Sequence, residues 1–449
     1  MKKYTLLGLI LCSVFVPAAG QDAPVQLESL SLQQAVDYSL RHAPEVVVSQ
    51  LKQKQAENQL SQVKLSNLPE IYATSDLRRN LIIPSTPIPA SMINPNAQEG
   101  EIMYMRFNTP WTMASGLNLS YDIFNPQNIG KKSEQRQQLK INSLSTQIAE
   151  NNTRWDVSQS YIDCVIAKAQ LETVTADTAY YHDLVQETNR LYGLEKVSLI
   201  DHNNALLQYH ASLERFQQAQ DIFQQSKVSL LLNLGIQPDE GKATILCPSD
   251  DIQALYVQMT DKDAKSPATK LDVARQNEVL ALSQLKRRNV ALKYAPTLSL
   301  SGYYGANFYD RQLSLGNADR WFGNSFVALS LRVPISRSLN TAKEVEQWKI
   351  QEQMDRETLR QMQNADEANT AKLLSRIETL KKTYLLKQAD IRLIDENMVA
   401  QHKLFEKGYM TSCDFSAELL KLQNARQQYL KAAYDVLSAV ISLEKITIK

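Results

Sequence analysis

The sequence predicts a mostly α chain with a smaller β portion, made of two copies of one order: helix, strand, strand, long helix, turn, returning helix. Three observations carry this prediction. Glycine is scarce, at 13 of 449 residues, well below the roughly 7% usual in globular proteins. Two very long stretches lack both proline and glycine and repeat apolar residues at helical spacing. Four short segments alternate with a period of two, as strands do.

The first segment reads as an address. Met1-Lys2-Lys3 is basic, Leu6 to Val16 is apolar, and Ala18-Ala19-Gly20 is small. This layout is that of a secretory signal peptide, cleaved after Gly20. Its apolar run is too short to span a bilayer core of about 30 Å. Cys12 lies inside that run, where it does not fit a lipidation site. The later cysteines Cys164, Cys247 and Cys413 have neither disulfide-framework nor metal-ligand spacing. They read as isolated small side chains. No later segment is apolar for about 20 residues, so no membrane-spanning helix is expected.

The first helix runs from Ser31 to Asn67, with Ser31 as N-cap and Gln34 at the capping-box position; Pro44 either starts a new turn or kinks it. The segments near 70–80 and 111–124 then alternate. Ile71, Ala73, Ser75 and Leu77 interleave with Tyr72, Thr74, Asp76 and Arg78. A long helix over 131–191 follows, about 90 Å at 1.5 Å per residue. After a short break, residues 198–234 return, stopped by Gly235. A linker spans 236–269.

The second copy occupies 270–449. It has a helix near 270–293, strands near 297–308 and 322–333, a long helix over 340–405 of about 100 Å, and a returning helix over 411–443. Helices this long need coiled-coil-like neighbours, because no globular core can cover them. Strands of this length either sit half-buried in a soluble sheet or cross a membrane as tilted β. Aromatics at the strand ends, Trp111, Phe124, Tyr309, Trp321 and Phe322, fit interfacial girdles. The eleven glycines after the signal are expected in loops, strands, caps and tips, and none inside a helix.

The two copies align without a gap around their helix breaks at an offset of 213 residues. Leu191-Tyr192 matches Leu404-Phe405, Ser198 matches Thr411, and Asp201 matches Asp414. Pro44 and Pro69 correspond to Pro267 and Pro296. The near-neutral balance, 49 basic against 48 acidic residues, argues against nucleic acid as a partner. Neither GxGxxG nor GxxxxGK[ST] occurs. The histidines, His42, His182, His202, His210 and His402, form no ligand set, and no cofactor or catalytic site is expected.

Against this background the chain resembles the TolC-like outer-membrane efflux proteins from about Leu30 to Leu443. The resemblance rests on Leu32 and Ala35, on His42, Pro44 and Glu45, and on Leu68-Pro69 before a strand. Its most specific mark is the hairpin Phe405, Gly408, Thr411, Asp414. It implies a homotrimer in the outer membrane, reaching far into the periplasm. Three chains would supply twelve strands to a barrel, continued by a helical tube. Such a tube is a passive exit duct, not an enzyme, coupled to a periplasmic adaptor and an inner-membrane pump.

By the same resemblance the adaptor would meet the helix tips, with Tyr192, Gly193, Glu195, Ser198, Phe405, Gly408 and Thr411 as candidates. Asp414, Asp201 and Glu418 are the candidates for a periplasmic aperture. Thr74, Asp76, Asn118 and Ser299 would line the pore, and residues 79–110 would form an extracellular loop. Two departures stand out. Register puts Glu195 where the motif glycine belongs, so either the first turn is rebuilt or its contacts differ. The place of a second acidic residue at the other tip is Ala417. The alternative reading is a periplasmic adaptor or another soluble coiled-coil interaction protein.

Overall fold

The computed structural model describes residues 29–236, 247–260, 270–335 and 338–446. The leader, Pro267 and much of the 236–269 linker lie outside the described residues. The elements follow in order: β1 (Ser29–Leu30), α1 (Leu32–His42), α2 (Pro44–Leu65), β2 (Glu70–Arg79), β3 (Thr86–Pro89), β4 (Ile102–Met105), β5 (Trp111–Phe124), α3 (Pro126–Gly193) and α4 (Leu199–Asn233). The second half continues with β6 (Cys247–Pro248), α5 (Ile252–Thr260), α6 (Leu271–Val290), β7 (Thr297–Asp310), β8 (Trp321–Arg332), α7 (Ser338–Glu406) and α8 (Ser412–Ile446).

The period-2 segments of both halves build one antiparallel sheet in the order β2-β5-β7-β8. The central seam, β5 against β7, therefore joins the two repeats. β2 and β8 are the two edges.

The long helices have 68 and 69 residues, about 100 Å each. Each runs beside two shorter helices. Upper α3 packs on α2, where Thr146 Oγ1 donates to the Ser49 carbonyl at 3.2 Å. Lower α3 packs on α4, where Asn233 Nδ2 donates to the Asp156 carbonyl at 3.4 Å. α7 is flanked in the same way by α6 and α8. Gly235, at φ +79°, closes α4 directly against the start of α2. A Cβ there would lie 2.7 Å from the His42 carbonyl oxygen.

Two expectations are corrected and one open choice is settled. Pro44 starts a new helix: it has no N–H to continue the ladder and occupies the first turn of α2, after Ala43 in an extended conformation. The Ser31–Gln34 capping box is present at α1. Gly130 lies inside α3, because that helix starts at Pro126 behind the Asn125 cap. A Cβ on Gly130 would lie 3.0 Å from the Asn289 side chain, whose Nδ2 donates to the Gly130 carbonyl at 3.0 Å. The 79–110 segment is not all loop. It contains the hairpin β3–β4.

Two apolar clusters hold the helices together. The larger lies midway along the long helices and gathers Tyr161, Ile162 and Val165 of α3, Leu230 of α4 and Leu234 at its end, Leu255 of α5, and Val436, Leu437 and Val440 of α8. α1 lies on it through Leu32, Ala35 and Val36. Tyr161 is its polar anchor. Its hydroxyl lies 2.8 Å from both the Leu30 carbonyl oxygen and Asp250 Oδ2, which share its one proton. Asp250 Oδ2 also accepts from the Leu32 N–H at 3.0 Å. Burial pushes the Tyr161 phenol up, and the bond to Asp250 adds to the shift. The smaller cluster lies near the helix breaks.

Tyr161→Phe should leave the Leu30 carbonyl and Asp250 short of a donor. We expect a loss of about 1–3 kcal/mol, read as a lower thermal midpoint by circular dichroism with the helical content unchanged.

Candidate channel surfaces

Directly opposed residues in an antiparallel sheet share a face. The register therefore sorts the sheet into two sides. One carries Ile71, Leu77, Met113, Leu117, Leu119, Leu298, Leu300, Tyr304, Val327, Leu329 and Leu331. Much of it is open to the surroundings: Val327 is 77% exposed, Tyr304 75% and Ile71 70%. The other side carries Thr74, Asp76, Asn118 and Ser299 together with Ser120, Ser301, Asn307, Asn324 and Ser330. All four pore candidates thus share one polar face. Asn118 Nδ2 donates to Thr74 Oγ1 at 2.8 Å.

Steric room distinguishes the same two sides independently. Gly116 and Gly305 are opposed on the polar face. A Cβ on Gly116 would come within 2.7 Å of the Tyr304 carbonyl oxygen, and one on Gly305 within 2.3 Å of that of Ser115. On the apolar face, a Cβ on Gly302 would meet nothing nearer than 3.6 Å, and one on Gly323 nothing within 4 Å. Such crowding is what glycine at a tight bend of a barrel wall relieves. It marks one point of close approach between β5 and β7 on the polar face.

The two helix breaks have the same turn. Glu195 N donates to the Tyr192 carbonyl and Lys196 N to that of Leu191, both at 2.9 Å. At the second break Gly408 N donates to Phe405 and Tyr409 N to Leu404, also both at 2.9 Å. This is a Schellman closure with a left-handed residue. That residue is Gly408 at φ +73° in one turn and Glu195 at φ 58° in the other. The first turn is thus not rebuilt. Glu195 adopts the conformation that its register requires.

The remaining tip candidates divide by role. Ser198 and Asp201 form a capping box on α4, with Ser198 Oγ accepting from the Asp201 N–H at 3.2 Å. Thr411 and Asp414 repeat it on α8: Thr411 Oγ1 accepts from the Asp414 N–H at 3.1 Å and donates to Asp414 Oδ2 at 2.6 Å. Both carboxylates are exposed. Glu418 is instead paired with Lys421 at 2.6 Å, and that bond holds its carboxyl below the usual range. Tyr192 and Gly193 are exposed, Tyr192 stacking on His202 with centroids 5.6 Å apart. Phe405 is buried against Phe415, ring on ring at 4.4 Å. It props the turn from inside and offers no surface for docking.

A charged network above the tips escapes sequence reading. Arg426 of α8 pairs with Asp177 of α3 and, at 2.9 Å, with Asp395 of α7. Burial raises the Asp177 carboxyl pKa, and the Arg426 charge opposes the shift. Nearer the tip, His402 of α7 faces Asp183 of α3 at 3.3 Å. Among the described residues no cluster of three or more His, Cys, Asp or Glu is placed to hold a metal. No described helix is long and apolar enough to cross a membrane.

No family model matches the chain, and no curated protein matches it. Solved structures do. The outer membrane channel CmeC of Campylobacter jejuni superposes with a TM-score of 0.72 at 15% identity, covering 97% of this chain and 93% of that one. The outer membrane protein VceC of Vibrio cholerae gives 0.69 at 14%, covering 93% and 97%. The open state of the MtrE outer membrane channel of Neisseria gonorrhoeae gives 0.70 at 14%, covering 92% and 88%. The chain has the fold of these channels along nearly its whole length.

Two outcomes test the helix region. Arg426→Met strands Asp177 without its partner and should cost about 3–5 kcal/mol, with part recovered on adding Asp177→Asn. Glu195→Gly removes a left-handed non-glycine residue and should stabilise by about 1 kcal/mol. Thermal unfolding in detergent reads both.

Proposed function

We propose that the chain is a passive channel of the outer membrane, not an enzyme, and that three copies assemble as the exit duct of a tripartite efflux or secretion system. The observation that carries this is the two-faced sheet. Its strands are 10, 14, 14 and 12 residues long, enough to cross a bilayer as tilted β. One side is apolar and exposed, as lipid requires. The other is polar, as a water-filled lumen requires.

Four strands leave β2 and β8 with unpaired edges, and lipid does not tolerate open edges. Three copies joined edge to edge, β2 on the next β8, close a twelve-stranded barrel. The paired long helices, about 100 Å each, then extend the duct through the periplasm. Similarity in fold to channels such as CmeC and MtrE supports the same reading.

At the far end, Asp414 and Asp201 cap helices with exposed carboxylates. We assign them to the aperture, with Asp414 as the main ring of three. The exposed tip residues Tyr192, Gly193, Glu195, Ser198, Gly408 and Thr411 form the surface for a periplasmic adaptor, which couples the duct to an inner-membrane pump. A soluble adaptor role fits the helices equally well, but it gives no reason for an exposed apolar sheet face.

Membrane fractionation tests the proposal directly. We expect a heat-modifiable trimer in outer-membrane extracts, and recovery as a soluble periplasmic monomer would overturn the reading. In planar bilayers Asp414→Asn should lower cation selectivity while the trimer still assembles. Unchanged selectivity would remove Asp414 from the aperture.

A further inference from the structure

We infer that the polar face of the sheet carries an aromatic binding shelf for planar, positively charged solutes. The inference rests on the channel reading, which makes this face the lumen. One rung across all four strands consists of Tyr72, Asn118, Tyr303 and Phe326, opposed in register from β2 to β8. Three of these four residues are aromatic; the other aromatics of this face, Tyr309 and Phe322, lie apart at its far end.

The shelf has a floor. The Tyr303 ring lies across the opposed glycines. A Cβ on Gly116 would come within 2.8 Å of Tyr303 Cζ, and one on Gly305 within 2.7 Å of Tyr303 Oη. Without side chains at either position, the outer end of the ring lies over the backbone of β5 and β7. Its hydroxyl has no hydrogen-bond partner among the described residues. Phe326 lies beside it, with centroids 6.0 Å apart and planes within 23°. Together they present two near-parallel aromatic rings on this face.

Covering the glycines accounts for Tyr303 alone. Phe326 and Tyr72 remain 52% and 44% exposed, on the side where no lipid would cover them. An exposed aromatic surface facing water is free to stack a planar solute. The charges favour a cation. Glu70 lies one rung below Tyr72 on the same face, Asp76 two rungs above, and Asp122 on the neighbouring strand. The basic residues of this face, Arg78 and Arg332, lie at its two ends. Aromatic faces attract cations through the ring quadrupole, more strongly when water is partly excluded.

The test uses the purified trimer in planar bilayers. The probes are ethidium, a planar aromatic cation, and tetrapropylammonium, a cation without rings. Ethidium should block the current at lower concentration than tetrapropylammonium does. Tyr303→Leu with Phe326→Leu should weaken ethidium block about tenfold, leaving tetrapropylammonium block and unitary conductance within about twofold. Phe326→Trp, at a half-exposed position, should tighten ethidium block severalfold. It also carries the test if the leucine variant fails to assemble. Equal ethidium block in the wild type and in the assembled variants would overturn the shelf and leave the channel intact. A wild-type trimer that conducts no current would overturn both.

Discussion

The unpaired edges of β2 and β8 govern the rest of the molecule. Each edge presents a row of backbone N–H and C=O groups with no partner inside the protomer. In water such a row invites aggregation, and in lipid each orphaned group costs several kcal/mol. Neither edge is shortened, bulged or crossed by proline. Only the central strand β5 has an irregularity, between Asp122 and Phe124. Edges left this regular are edges meant to be paired. A copy of the same chain can pair them, because β2 and β8 present antiparallel partners of similar length.

The helical part solves a different problem with the same economy. One rise of about 100 Å must be covered along its whole length, and each half of the chain does so with one long helix and two shorter ones set end to end. The junctions are tight. Gly235 lies against His42 and Pro44 because a side chain there would collide with the backbone. Gly130 admits Asn289, whose amide also donates to Glu134 at 2.7 Å. At the breaks one closure is used twice, and the backbone geometry overrides residue preference. Glu195 takes a left-handed conformation that usually costs an L-residue about 1–2 kcal/mol. The capping box of Ser198 and Asp201 directly downstream helps hold it there.

Much of this was legible in the sequence because the signals were local and repeated. Period-2 alternation located all four strands of the sheet within a few residues, and the 213-residue offset identified Glu195 as the residue in the glycine position. What sequence reading missed has three physical causes. The hairpin β3–β4 was hidden by Pro87 and Pro89, which read as strand breakers. They are tolerated because Ala90 N donates to the Glu101 carbonyl at 2.8 Å. The alternate positions they occupy need no N–H toward the partner strand. The Arg426–Asp177–Asp395 network joins residues up to 249 apart, and no local pattern announces such a pairing. Phe405 carries the family motif, yet its burial against Phe415 depends on how α7 meets α8.

Hydropathy alone would not have decided which side of the sheet faces inward, because alternation has no sign. Solvent exposure gives it one: the apolar side stays open along β5 and β8. Gly116 and Gly305 mark one point on the polar side where two strands approach too closely for a side chain, while Gly302 and Gly323 on the apolar side have room for a methyl group. A soluble sheet packed on a core would instead bend its polar face outward and bury its apolar one. The exposed leucines and valines of β5 and β8 rule that arrangement out for the protomer.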